Sequence, residues 1–326
     1  MIVPRFWAEA RLQERIEGRQ VTLRRFGWSN VAEADAQRVA EERVTEAMAR
    51  VRRGVKVPAR EKKVPYNGAD GLPIREEIVE ERGAAVVTRN SYGARCLNVP
   101  DVLIADVDLP PSDPPAAVWV GGWVVGIGSA VASGLLGAGL ALASLACAGG
   151  VVSVVGGFVA LRRLRLVAGG GAQAVARARI EGFARSYPDW RLHLYRTPAG
   201  FRVLVTHQRF DPSSRDVAFF FEALRVDPAF QRMCTLQKCF RARLTAKPWR
   251  IGIATPLRPR PGVWPVRPER LEARARWVDA YEARARGFAA CRFEASFGRS
   301  RDDPAAAAVR AWHDEASGAN SALPLA

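Results

Sequence analysis

The longest hydrophobic stretch of this chain covers residues 114–161, where 48 consecutive positions contain no Asp, Glu, His, Lys or Arg. A helix that crosses a bilayer needs about 20 residues, so this length predicts two crossings joined by a turn. We expect the first helix over 116–133, a turn in "GLLGAGL" over 134–140, and a second helix that ends at 161. The alternatives are a pair of buried helices in a soluble core, or a re-entrant loop.

The flanks of this stretch are typical of a membrane boundary. An aromatic belt and a basic cluster are predicted to anchor the two helices, and they consist of Trp119, Trp123, Arg162, Arg163 and Arg165. By the positive-inside rule, both termini then face the cytoplasm, which predicts a multi-pass protein of the inner (cytoplasmic) membrane. Gly122 and Gly126 predict close packing of the two helices, and the Gly-rich hairpin would also allow a homo-oligomer.

Outside residues 114–161, the hydrophobic pattern is that of the helices and strands of a cytosolic domain. In residues 1–113, "RFWAEARLQERI" predicts a short helix, "RQVTLRRFGWS" an edge strand and "VAEADAQRVAEERVTEAMARV" an amphipathic helix. A strand meander follows and ends in "VLIADVD". Residues 265–326 predict Arg-rich C-terminal helices and a tail.

Residues 162–264 predict the rest of the cytosolic domain. "GAQAVARARIEGFARSY" is typical of a helix, "WRLHLYRT" and "FRVLVTH" of two strands, and "SSRDVAFFFEALRV" and "DPAFQRMCTLQKC" of helices. "FRARLTA" and "WRIGIAT" then predict further strands. Together with the "VLIADVD" strand, this order predicts an α+β fold of the ferredoxin-like (RRM-like) class, with the two-helix transmembrane hairpin inserted after its first strand.

Charge is distributed unevenly along the 326 residues. The formal net charge is +16, and residues 1–113 contribute 19 basic and 18 acidic side chains, so nearly the whole excess follows the hydrophobic stretch. A basic region beside a membrane segment favours lipid headgroups or nucleic acid as partner, although arginine from a GC-rich genome would produce a similar count. Five scattered cysteines form no disulfide framework and indicate a reducing compartment. The N-terminus has no signal-peptide hydrophobic core.

Two carboxylates end the "VLIADVD" strand. Because side chains alternate along a strand, Asp106 and Asp108 share one face with Val102 and Ile104. Paired carboxylates bind hard cations such as Mg²⁺ or Mn²⁺, which align phosphates in phosphoryl transfer. The alternative is that both are solvated residues at the end of a strand.

Several motifs together resemble the catalytic core of the archaeo-eukaryotic primase and primase-polymerase superfamily. They are "DVD", the turn in "TPAGFRVLV", a later acid and the basic segment "FRARLTAKPWR". The resemblance implies metal ligands at Asp106, Asp108 and Asp227. It implies nucleotide or phosphate contacts at Thr197, Gly200, Arg202, Arg241 and Lys247. The sequence departs from the family at Arg202, where a histidine is expected, and the nearest histidine is His207.

Other constellations are weaker. His193, His207, Cys234 and Cys239 could form a zinc site, but the spacing of the two cysteines within a helix favours core residues. No Gly-x-Ser-x-Gly motif occurs. The favoured hypothesis is therefore a non-catalytic, membrane-tethered module that binds an anionic partner, with no certain cofactor. The alternative is a metal-dependent nucleotidyltransferase or nucleotide-binding enzyme.

Overall fold

The computed structural model describes residues 1, 3–61, 63–64, 68–69, 72–109, 116–137, 139–168, 170–258 and 264–326. Contacts divide the chain into two units, which are described separately. The first is an α+β unit, Met1–Val107 with Glu181–Ala326, and the second, Asp108–Ile180, is largely helical. The protein is thus a mixed α+β protein with two apolar helices, as the sequence predicts.

Twelve strands and eight α-helices occur in the described residues. The strands are β1 (Phe6–Ile16), β2 (Arg19–Ser29), β3 (Lys63–Val64), β4 (Gly68–Ala69), β5 (Glu77–Arg82), β6 (Ala85–Arg89), β7 (Arg95–Val99), β8 (Ile104–Asp108), β9 (Leu192–Thr197), β10 (Gly200–Val205), β11 (Phe240–Arg243) and β12 (Arg292–Phe297). The helices are α1 (Glu33–Arg52), α2 (Ala116–Leu135), α3 (Leu140–Ala168), α4 (Ala172–Ser186), α5 (Arg215–Leu224), α6 (Pro228–Gln237), α7 (Leu271–Ala285) and α8 (Pro304–Ser317).

The N-terminal layer is a two-stranded ribbon, β1–β2, backed by α1. Its strands are antiparallel from Phe6↔Ser29 to Ile16↔Arg19. One ribbon face packs on α1 through a small cluster: Ala10, Leu23, Ala40, Val44, Ala47 and Met48. The predicted N-terminal helix was therefore wrong, because the apolar residues of "RFWAEARLQERI" that face α1 recur at every second position, the period of a strand.

Gly27 permits the close approach of α1 to the ribbon. A Cβ added there would overlap the backbone of Ala36 and would lie 2.8 Å from the Cα of Ala40. At the other end of the ribbon, Glu17 and Gly18 both have positive φ, at 48° and 78°, as a two-residue hairpin turn requires. The turn fixes the register of β1 against β2, and Gly27 allows α1 to lie close to the ribbon.

Apart from the short β3–β4 pair, the other strands form two four-stranded sheets. One has the order β11-β7-β6-β5 and the other β12-β9-β10-β8. The ferredoxin-like arrangement is therefore not confirmed: the predicted fourth strand, "FRARLTA", pairs with β7 in the other sheet, from Phe240↔Val99 to Arg243↔Cys96. Strand β12, which follows α7, takes the place beside β9. Part of "WRIGIAT" is wrong as a strand, because Pro248–Ile251 forms a 3-10 helix.

The second unit contains the helical hairpin α2–α3. Within it, 118–135 and 142–161 are long and apolar enough to cross a membrane, and very little of either span is buried inside the protein. Gly126 lies against α3, since an added Cβ would come within 2.5 Å of the Cys147 carbonyl oxygen. At Gly122 the nearest atom, Cγ2 of Val155, would be 3.3 Å away. The predicted two-helix hairpin with close packing at Gly122 and Gly126 is confirmed, and α3 continues beyond the predicted end at 161.

Candidate functional site

The expected catalytic strand, β8, places Asp106 against an arginine. Nε of Arg202 donates to Oδ1 of Asp106 at 2.8 Å, and Nη2 to Oδ2 at 3.3 Å. The Arg202 side chain is 1% exposed and the Asp106 side chain 34% exposed. Burial disfavours the charged guanidinium, but the Asp106 carboxylate outweighs this effect, so the pKa of Arg202 is raised. Arg202, expected beside nucleotide phosphates, is instead one half of an internal ion pair.

The other side of Arg202 meets a buried histidine. Nη1 of Arg202 donates to the Arg243 carbonyl oxygen at 2.9 Å and lies 3.2 Å from Nε2 of His313. Because a guanidinium can only donate, Nε2 of His313 accepts this bond. Nδ1 then carries the proton and donates to Oδ1 of Asp314 at 2.9 Å. The tautomer of His313 follows from its two partners.

Cys291 completes this buried cluster without forming a nucleophilic site. Its Sγ lies 3.8 Å from Nε2 of His313 and 3.3 Å from Oγ of Ser317. Cys291 and His313 are both fully buried, and Nε2 of His313 already accepts from Arg202. A base that is already hydrogen-bonded and a thiol that substrate cannot reach do not meet the geometry of an activated nucleophile. This cluster could not be predicted from the sequence, because its members lie far from β8 along the chain.

Arg241, the second basic residue expected near phosphates, is also buried in an ion pair. Its Nη2 lies 2.7 and 2.6 Å from the two carboxylate oxygens of Glu76. Thr88 donates to the same carboxylate at 2.5 Å, and Asn98 donates to Thr88 at 2.9 Å. Burial opposes the charge on Arg241, but Glu76 more than compensates, so its pKa is raised. Arg241 therefore stabilises the β11-β7-β6-β5 sheet from within.

The remaining predicted site residues lie in separate local structures. Asp108 is the exposed last residue of β8, and Asp227 accepts the Ala229 N–H at 3.0 Å at the start of α6. Thr197 and Gly200 face each other across the β9–β10 turn. Lys247 lies with Nζ 5.4 Å from the ring centroid of Trp249. Across the described residues, no group of three or more His, Cys, Asp and Glu could hold a metal ion, so the Mg²⁺ or Mn²⁺ site stays a prediction.

The two histidines of the zinc alternative have other partners. Nδ1 of His193 lies 2.7 Å from Oγ of Ser296, and its Nε2 lies 3.0 Å from Oδ1 of Asp302. The His207 ring packs on Trp190, with the centroids 5.2 Å apart. Burial lowers the pKa of His193, and the nearby Asp302 only partly opposes this effect. His193 therefore joins β9 to the segment that follows β12.

The predicted membrane anchors are partly described. Trp119 is 46% exposed and Trp123 is 55% exposed on α2. The positions of Arg162, Arg163 and Arg165 lie in α3, but their side chains fall outside the described part of the chain. Both tryptophans are thus exposed on the hairpin, and their role as anchors stays a prediction.

A polar surface that the sequence analysis missed lies on β1–β2. On the face of this ribbon turned away from α1, the pair Glu9↔Phe26 is followed toward the turn by three polar cross-strand pairs, Arg11↔Arg24, Gln13↔Thr22 and Arg15↔Gln20. These six residues, here called the exposed ribbon face, are exposed or half-buried, and none of them is acidic. The alternation of polar and apolar residues in β1 would have predicted this face, but the segment was predicted as a helix.

Comparison with known proteins gives no match to this chain: no family model, curated protein or solved structure matches it.

Proposed function

We propose that α2–α3 anchors this chain in the cytoplasmic membrane, and that its α+β unit is a non-catalytic module that binds an anionic partner at the cytoplasmic face. Support for the anchor comes from two apolar spans whose side chains face outward, including Val120 at 62% and Leu145 at 68% exposure. Lipid would cover this surface, and water would not. The arginine cluster after residue 161 supports placing both termini in the cytoplasm.

One observation carries the non-catalytic part of the proposal. Asp106 and Arg202, the expected metal ligand and phosphate contact, neutralise each other in the fold. Arg241 is likewise held by Glu76. A phosphate could recruit these groups only if internal ion pairs were broken, and breaking a buried pair is costly.

Support for an anionic partner comes from the positive charge of exposed arginines that form no ion pair in the described part of the chain. The chain has 49 basic and 33 acidic side chains, and exposed arginines with no acidic partner in the described contacts include Arg50 and Arg53. Such a surface attracts polyanions or anionic headgroups, with an affinity that falls as salt is added.

The test uses the full chain, reconstituted in neutral phosphatidylcholine nanodiscs. Binding to labelled nucleic acid and to phosphatidylglycerol vesicles is measured over a range of salt concentrations. We expect salt-sensitive binding to one of these and no change on adding Mn²⁺ and nucleotide. Failure to bind either anion would refute the module. Metal-dependent nucleotide binding that Asp106→Ala abolishes without unfolding the protein would favour the enzyme alternative.

The anchor has its own test. After lysis without detergent, we expect the protein in the membrane fraction and resistant to extraction at high salt. Reporter tags at the two termini should both be accessible from the cytoplasm. A soluble protein, or tags on opposite sides, would contradict the hairpin topology.

A further inference from the structure

Helix α1 packs against the side of the ribbon opposite the exposed ribbon face. The opposite face of β1–β2 is covered by α1 through Ala10, Leu23 and the small residues of the helix. Arg52 of α1 is tied to Glu14 of β1 at 2.6 Å. A backed ribbon presents its outward side chains in fixed rows, which is what recognition of a regular surface requires.

The size of this face suits one groove of a nucleic acid. Residues 11–15 and 20–24 span about 17 Å at a rise of roughly 3.4 Å per residue, and the two strands lie about 4.8 Å apart. The major groove of B-form DNA, about 12 Å wide, admits a two-stranded ribbon. The deep, narrow major groove of A-form RNA excludes side chains.

The side chains of the face have the chemistry that base edges recognise. Arginine pairs with guanine O6 and N7, glutamine with adenine N6 and N7, and threonine with several edges. Arg11 also lies directly opposite Arg24. Arg24 has an acidic neighbour, since its Nη1 lies 3.5 Å from Oε1 of Glu9, whereas Arg11 donates to Oε1 of Gln13 at 2.8 Å and has no acidic partner in the described contacts. Arg11 is therefore the cation of this pair that is left to bind an external anion.

Further cations lie at the turn, in and just after α1, and in the segment beside β2. They are exposed, and they consist of Arg19, Arg50, Arg53, Lys56 and Arg60. The segment that carries Lys56 and Arg60 is held along β2, where the Arg24 N–H donates to the Ala59 carbonyl oxygen at 2.9 Å. Cations beside a base-reading surface are suited to phosphate contacts.

We infer that the exposed ribbon face binds the major groove of double-stranded DNA. This inference rests on the proposed function and names the partner class of the α+β unit. Lipid headgroups fit the face less well, because a surface that binds membranes carries apolar side chains that insert, and none of the six residues is apolar.

The test measures binding of a labelled DNA duplex to the full chain in phosphatidylcholine nanodiscs. Arg11→Glu places a carboxylate opposite Arg24, which keeps the ribbon folded while reversing one charge of the face. We expect its affinity to fall at least about tenfold. Arg299→Glu, the same charge change at an exposed site outside the ribbon, should lose much less. Gln13→Ala tests the uncharged contacts and should weaken binding without altering the salt dependence.

Each outcome decides the inference. Weak binding by Arg11→Glu at an unchanged melting temperature, with competition by the major-groove ligand methyl green, supports it. Equal losses for Arg11→Glu and Arg299→Glu would overturn the ribbon assignment and leave the proposed function standing. The same holds if the native protein binds duplex RNA as tightly as DNA, or binds only phosphatidylglycerol vesicles. Binding to no anion would overturn both.

Discussion

The Asp106–Arg202 pair makes the sharpest prediction about this protein. Asp106→Ala leaves the guanidinium of Arg202, which is 1% exposed, without two hydrogen bonds and without its counter-charge. Removal of one partner from a buried ion pair costs about 3–5 kcal/mol. Because the Asp106 side chain is 34% exposed, water replaces part of the lost interaction. We therefore expect a loss of about 2–4 kcal/mol in the free energy of unfolding of the α+β unit.

Urea unfolding of the full chain in detergent micelles, followed by tryptophan fluorescence, measures this loss. Asp279→Ala is the matched control, since the same change is made at an exposed position of α7 that forms no ion pair in the described contacts. It should change the free energy of unfolding by about 0.5 kcal/mol or less. The double variant Asp106→Ala with Arg202→Met should recover much of the stability, because the uncompensated charge is removed as well. An unchanged urea midpoint for Asp106→Ala would refute the ion-pair interpretation.

Three further changes test other parts of the structure. Gly27→Ala should destabilise the N-terminal layer by about 1–3 kcal/mol, since its Cβ would overlap the backbone of Ala36; unchanged thermal unfolding would contradict the packing. Gly126→Leu should separate α2 from α3 in spin-label distance measurements, whereas Gly128→Leu, with no atom within 4 Å of an added Cβ, should leave the distance unchanged. Burial lowers the pKa of His193, so the folded state keeps it neutral while the unfolded chain takes up a proton, and its contribution to stability is lost as pH falls below about 6.5. His193→Gln should therefore flatten the fall in stability between about pH 7 and pH 5, and an unchanged slope would refute this assignment.

Local patterns predicted the parts of the fold that depend on nearby residues. The hairpin followed from a run of uncharged positions whose length matches two helices, and close packing at Gly126 followed from residue size. The helices predicted for 265–326 include α8, which begins where Asp303 accepts the N–H groups of Ala305 and Ala306. In each case the interactions that determine the structure join residues a few positions apart in the sequence, or two helices that follow each other along the chain.

Sheet membership could not be predicted in the same way. Strand β11 has the residues of a strand, but nothing in "FRAR" specifies whether it pairs with β7 or with β10. That choice depends on partners more than one hundred residues away, including the ion pair between Arg241 and Glu76. The primase-like interpretation stays a prediction, and it places charged residues near one another by their order in the chain. It assigned Arg202 to an external phosphate, whereas the partner of Arg202 is a carboxylate on the neighbouring strand β8.

The internal ion pairs also affect the balance of charge at the surface. Each buried pair, such as Arg202 with Asp106 or Arg241 with Glu76, removes one positive and one negative charge from the outside. The net charge of +16 is unchanged by this pairing, while the number of acids left to offset it outside becomes smaller. The ratio of basic to acidic side chains is thus higher at the surface than in the whole chain. An anion attracted to it still needs a site of matching shape, and on β1–β2 the charge is combined with a regular row of hydrogen-bonding groups.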